Sequence, residues 1–150
     1  MRAVIQRTDS ASVSVNQEII AETGKGMLIF LGIEEFDNEE DIDWICGKIA
    51  RLRIFSDHNG IMNLDVQETK GEVLIVSQFT LHASTKKGNR PSYIRAARPE
   101  KAVPLYHLFI QKLQEHIPTK IKTGSFGAMM KVQLINDGPV TILIDTKQKE

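Results

Sequence analysis

Two stretches of this chain are apolar without interruption: Met27-Leu28-Ile29-Phe30-Leu31-Gly32-Ile33 and Val73-Leu74-Ile75-Val76. A strand turns successive side chains to opposite faces, so a strand with no polar alternation is buried on both sides. The longer run is far too short to cross a bilayer, which takes ~20 helical residues. The chain must therefore supply covering layers. Ile42, Ile45, Cys46, Ile49 and Leu52 recur at helical spacing within residues 38–54, with acids around the first turn and Arg51 and Arg53 at the end. A second helical pattern spans residues 99–116, with Ala102, Leu105, Phe109 and Leu113 on its apolar face and Tyr106 beside them. Pro104 lies too deep to be a first-turn proline, which predicts a kink or a delayed start.

The rest of the chain reads mainly as strands. Residues 2–8 alternate, residues 11–15 put Val13 and Val15 on one face, and residues 19–22 form a short third strand. Asn59-Gly60 signals a hairpin turn leading into residues 62–66. Residues 131–135 and 140–145 are two last strands joined across Asn136-Asp137-Gly138-Pro139. The polar tail 146–150 is expected to fray. The order predicts one α/β domain over residues 1–150, a layered large sheet or barrel-like β core with two main helices packed on it.

Composition removes whole classes of function. A single cysteine, Cys46, excludes an internal disulfide and an all-cysteine metal cage, and its place in the helical stripe marks it as core. The four histidines are scattered and no phosphate-loop, dinucleotide or nucleophile-elbow motif is present, so neither metal nor cofactor is expected. The first residues alternate and then turn polar, unlike a signal peptide, which gives a cytoplasmic expectation with no membrane partner. Nineteen basic and nineteen acidic side chains argue against a uniformly cationic nucleic-acid binder. Their distribution is uneven: residues 1–81 carry 7 basic and 14 acidic groups, residues 82–136 carry 10 and 2. Lys86, Lys87, Arg90, Arg95 and Arg98 fall in a stretch without an acid, around Gly88 and Pro91. Two readings stay open, a solvated face or a phosphate-binding loop.

Two further segments stand out. Ser77-Gln78-Phe79-Thr80-Leu81 is the polar end of a buried strand; it is either a strand leaving the core or a ligand-binding strand end whose backbone N–H groups could meet an oxyanion. Thr80 and Ser77 have no identifiable base nearby. Asn136-Asp137-Gly138-Pro139-Val140-Thr141 suits a plain β-turn, or, with a cis proline, a rigid pair of backbone acceptors able to sense stereochemistry.

Together these segments resemble the D-aminoacyl-tRNA deacylase family, whose Ser-Gln-x-x-Leu and Asn-x-Gly-Pro-Val-Thr motifs match Ser77–Leu81 and Asn136–Thr141. The resemblance extends over nearly the whole chain and includes Lys86-Lys87-Gly88-Asn89-Arg90-Pro91-Ser92 and Gly124-Ser125-Phe126-Gly127-Ala128. It implies a homodimer that hydrolyses the ester joining a D-amino acid, or glycine, to the terminal ribose of tRNA. It further implies that Gly138-Pro139 is a cis motif inserted into the partner's pocket to exclude L-residues, with Arg7 holding it. Ser77, Gln78, Phe79 and Thr80 would line the pocket, Phe126 and Met130 would stand at its wall, and the RNA's 2′-hydroxyl would assist. Met129 stands where the family commonly has an acid. The competing expectations are a threonine-dependent esterase using Thr80 and a non-catalytic tRNA-binding module using the basic segment.

Overall fold

The computed structural model describes residues 1–149. Strand β1 (Arg2–Val15) is the spine: its first half pairs antiparallel with β3 (Gly26–Gly32), its second half with β2 (Glu18–Thr23), and its other edge with β8 (Lys131–Asp145) along its length. Beyond β3 lie β6 (Glu72–Ser77) and the two-residue β7 (Lys122–Thr123), both parallel to their neighbours. The path β2-β1-β3-β6-β7 curls back on itself. Lys122 Nζ, on β7, donates to Glu22 O on β2 at 2.7 Å, so the sheet is nearly a closed barrel. A small hairpin, β4 (Phe55–Ser56) with β5 (Met62–Leu64), stands apart.

The parallel pairs require crossovers, and the two helices supply them. Helix α1 (Glu39–Ala50) lies between β3 and β6, and α2 (Pro99–His116) between β6 and β7. Asn38 caps α1: its side chain accepts from the N–H of Glu40 and Asp41, while Asp41 accepts from the N–H of Asn38. Such a box contributes about 1 kcal/mol. Helix α2 starts at Pro99 and runs through Pro104 to His116, so its start is not delayed.

Both uninterrupted apolar runs are buried on two sides. Met27, Ile29, Leu31, Val73 and Ile75 face a cluster with Ile42, Ile45, Cys46 and Ile49 of α1 and Ala102, Tyr106, Phe109 and Leu113 of α2. Leu28, Leu74 and Val76 face a second cluster with Ala11 and Val13 of β1. Tyr106 is buried in the helix-covered core, where its hydroxyl donates to Ile75 O at 3.2 Å. Burial pushes the Cys46 thiol up to about 12, aided by the nearby Asp43 charge.

Several boundaries differ from the sequence reading: α1 stops at Ala50, so Arg51 caps it and Arg53 lies beyond it, and β5 stops at Leu64 rather than reaching residue 66. Residues 2–8 and 11–15 are one strand, and residues 131–135 and 140–145 are halves of another. The tail is pinned through residue 147: Thr146 N–H donates to Met1 O, and Lys147 pairs with Asp37 and Asp41. Its last residue lies outside the described residues.

Candidate active site

Within β8 the register jumps. Gln6 faces Thr141 while Thr8 faces Asn136, so residues 137–140 stand opposite the single residue Arg7. The excess chain loops out, leaving Gly138 and Pro139 exposed with a cis bond between them. Asn136 ties the root of the loop, its Nδ2 donating to Arg7 O at 2.9 Å and to Val140 O at 3.1 Å. Thr141 Oγ1 donates to Gln6 Oε1 beside it. Beneath the loop, the nearly buried Arg7 donates through Nη1 to Ile54 O at 2.6 Å, and its Nε stands 2.8 Å from Asp137 Oδ2. Its Nη2 lies where a side chain at Gly138 would begin: a Cβ there would fall 2.7 Å from it and 3.0 Å from Val140 Cγ2. With φ at +112°, Gly138 also occupies backbone space that other residues rarely adopt.

The second feature forms where β6 ends. Gln78 N–H donates to Leu31 O at 2.7 Å, after which the chain tightens into a 3₁₀ turn, Phe79–His82. The turn's own bonds begin at Leu81 N–H, which donates to Gln78 O; the N–H groups of Phe79 and Thr80 precede them. Gln78 Nε2 donates to Thr80 Oγ1 at 2.6 Å. Beside this turn is a cavity of about 70 Å³, lined by Leu31, Ile33, Ser77, Gln78, Phe79, Ala97, Ala102, Phe126 and Gly127. Phe126 is braced by Tyr106, ring centroids 5.4 Å apart, and the exposed Phe79 ring meets Tyr93 edge-on at 5.1 Å.

The structure thus brings Ser77, Gln78, Phe79 and Phe126 together around one cavity, with Thr80 adjacent on the turn. Met130 is elsewhere, packed against the second apolar cluster under Gly124. Arg7, Gly138 and Pro139 form their own group and do not line the cavity of their own chain. Lys86, Lys87 and Arg90 are exposed on a loop closed by reciprocal backbone bonds between Ser84 and Ser92. Arg95 binds Glu34, and Arg98 occupies the N-cap position of α2. Met129 is exposed. Sequence reasoning missed Asn136 and Asp137 as braces and Ala97 and Ala102 as cavity walls; small size at 97 and 102 was their only local signal. No group of three or more His, Cys, Asp or Glu able to hold a metal occurs among the described residues, and none of their helices is long and apolar enough to cross a membrane.

A family model for D-Tyr-tRNA(Tyr) deacylase matches residues 4–145. The chain belongs to the D-Tyr-tRNA(Tyr) deacylase family. It is 59% identical to the D-aminoacyl-tRNA deacylase of Bacteroides thetaiotaomicron and 57% identical to that of Flavobacterium psychrophilum, each over 150 residues covering both chains completely. Among solved structures it is similar to the c-Myc DNA unwinding element binding protein, with a TM-score of 0.92 and 40% identity over 97% of this chain and 98% of that one. The deacylase family match encloses both features, the cavity at the end of β6 and the loop in β8.

Proposed function

We propose that this deacylase hydrolyses the ester between a D-amino acid, or glycine, and the 3′-terminal ribose of tRNA, and that Gly138-Pro139 of one copy selects configuration at the cavity of a second copy. By family, the chain is a D-aminoacyl-tRNA deacylase, an ester hydrolase. The observation that carries the finer reading is a separation. One chain holds a braced, protruding backbone loop and a small cavity at a strand end, and the loop is no part of that cavity's lining. A homodimer, as the family resemblance implies, would join them.

In this reading water adds to the ester carbonyl carbon, the bond to the ribose oxygen breaks, and that oxygen takes a proton. Backbone N–H groups at Phe79 and Thr80 would meet the negative charge that develops on the carbonyl oxygen. The RNA's 2′-hydroxyl would assist, which suits a pocket offering no side-chain triad. Gly138 and Pro139 would present their backbone carbonyls as a rigid pair, which fits against the hydrogen of a D-residue's α-carbon and excludes an L side chain. Lys86, Lys87, Arg90, Arg95 and Arg98 would hold RNA phosphates in the cytoplasm, where charged tRNA is found. Against a threonine-dependent esterase, the hydrogen bond at Thr80 Oγ1 comes from the amide of Gln78, a group that cannot take a proton.

Parallel incubation with D-Tyr-tRNA and L-Tyr-tRNA tests the reading. Release of D-Tyr with L-Tyr-tRNA left intact is expected. Equal rates would remove the stereochemical role of the loop, and salt-sensitive binding without release of D-Tyr would leave only an RNA-binding module.

A further inference from the structure

His82 closes the turn that carries Phe79 and Thr80, and it is only 1% exposed. Neither ring nitrogen completes a hydrogen bond. The polar atom facing it is Glu34 Oε1, 3.3 Å from Nδ1. That same oxygen is held at 2.5 Å by Nη2 of Arg95, whose side chain is half exposed in the basic segment. A buried imidazole with unpaired nitrogens is costlier than an apolar side chain filling the same space.

The surrounding backbone connects this trio to the cavity. Ile33, which lines the cavity, accepts at its carbonyl from Ala97 N–H at 2.9 Å, and Glu34 bridges to Ala96. Gly32 meets the turn so closely that a Cβ there would stand 3.0 Å from Gln78 O and 3.1 Å from His82 Cδ2. The end of β3, residues 95–97 and the 3₁₀ turn therefore form one contact unit, with Glu34 at its centre.

We propose that His82 and Glu34 are positioning residues, and that Glu34 is shared between Arg95 and His82 so that RNA binding completes the pocket. A phosphate that engages Arg95 relieves Glu34 of its present partner. The carboxylate then accepts the N–H of His82 Nδ1, which holds the turn, and with it the backbone of Phe79 and Thr80, against the bound ester. The exchange leaves no charge unpaired: Arg95 gains a phosphate, Glu34 gains a buried donor, and His82 Nδ1 gains an acceptor. Without RNA the imidazole stays unpaired and the turn is looser. This inference rests on the cavity beside Ser77–Phe79 being the reaction site.

Two substitutions set polarity against volume. His82→Asn puts an amide N–H near the place of Nδ1 but underfills the space, whereas His82→Leu fills it and donates nothing. With D-Tyr-tRNA, His82→Asn is expected to keep kcat within about threefold of wild type and His82→Leu to lower it roughly tenfold or more, with KM nearly unchanged in both. A Leu variant as active as the Asn variant, or more so, overturns the proposal, because packing alone would then account for His82. Hydrogen exchange supplies a readout independent of turnover and of whether the Leu variant folds. In wild-type protein, saturating deacylated tRNA should slow exchange of the Leu81 and Ala83 amides severalfold, and unchanged exchange overturns the proposal. Ala97→Leu, which crowds the cavity, separates this failure from that of the site itself. If Ala97→Leu turns over normally, the cavity is not the reaction site and both readings fall. If it abolishes turnover while the Leu variant matches the Asn variant, only the role of His82 and Glu34 falls.

Discussion

Arg7 and Thr80 illustrate how differently single residues serve this fold. Arg7 is nearly buried, and its guanidinium reaches the backbone of Ile54, the carboxylate of Asp137 and the space beside Gly138. It shapes the loop from below, where no substrate needs to touch it. Thr80 is half-buried beside the cavity, but its hydroxyl is engaged by Gln78 and its backbone N–H is the group facing chemistry in the proposed mechanism. Thr80→Val keeps the branched shape and that N–H while deleting the hydroxyl. Its kcat is expected to remain within about tenfold of wild type, whereas deleting a true nucleophile in a hydrolase costs on the order of 10⁶. Single-turnover rates with D-Tyr-tRNA decide between these outcomes, and a collapse of several orders of magnitude in a folded protein would restore the threonine esterase. Glu34 and His82 show where sequence was silent: 48 positions separate them, and neither belongs to a recognisable motif.

Elements were legible where periodicity is strong. The apolar runs at residues 27–33 and 73–76 required cover on both faces, and α1 and α2 provide it on one while the barrel interior provides it on the other. The continuity of β1 and β8 was not legible, because Asp9-Ser10 and the segment Asn136–Pro139 carry turn-forming residues. A long antiparallel partner holds the strand together on either side of each irregularity. The tail was misread for a related reason: its polar side chains have partners far away in sequence. Although burial, the largest influence on Asp41, pushes its pKa up, hydrogen bonds from Lys147, Thr146 and the Asn38 N–H hold it below the usual carboxylate range. Asp145 behaves likewise, with burial opposed by Arg2 and the Lys147 N–H. Carboxylates depressed in the folded state stabilise it above their unfolded pKa of about 4, and that contribution fades as pH falls through the lower folded value. Melting temperature should therefore drop from pH 5 to pH 3, and Asp145→Asn should flatten the drop while lowering stability at pH 7. An unchanged slope in that variant would show that Asp145 is no part of the acid sensitivity.

At the scale of the whole molecule, the balance of 19 basic and 19 acidic groups is consumed unevenly. Many of the acids near α1 are paired within the chain: the buried Asp37 on the Met1 ammonium, Asp41 on Lys147 and Glu34 on Arg95, and the exposed Glu39 and Asp43 on Lys112. Lys86, Lys87 and Arg90 make no ion pair among the described residues and stay available to phosphate. The loop and the cavity pose a different question of partnership, since one chain builds both without joining them. Two variants that each disable one half resolve it. Gly138→Ala forces a side chain into the left-handed region and against Arg7 Nη2, and displacing the loop this way should lower kcat/KM for D-Tyr-tRNA about 100-fold. Ala97→Leu should do comparable damage by filling the cavity. If the loop serves its own chain, mixing the two variants restores nothing, because every chain then has one broken half. If it serves a partner, a mixed dimer pairs the intact cavity of the Gly138→Ala chain with the intact loop of the Ala97→Leu chain. After co-refolding in equal amounts, half the dimers are mixed and each has one good site, so activity should recover to roughly a quarter of wild type. Recovery that vanishes when the mixture is diluted below the dimer's dissociation constant would tie the rescue to the interface, whereas a mixture no more active than its components would place loop and cavity in service of the same chain.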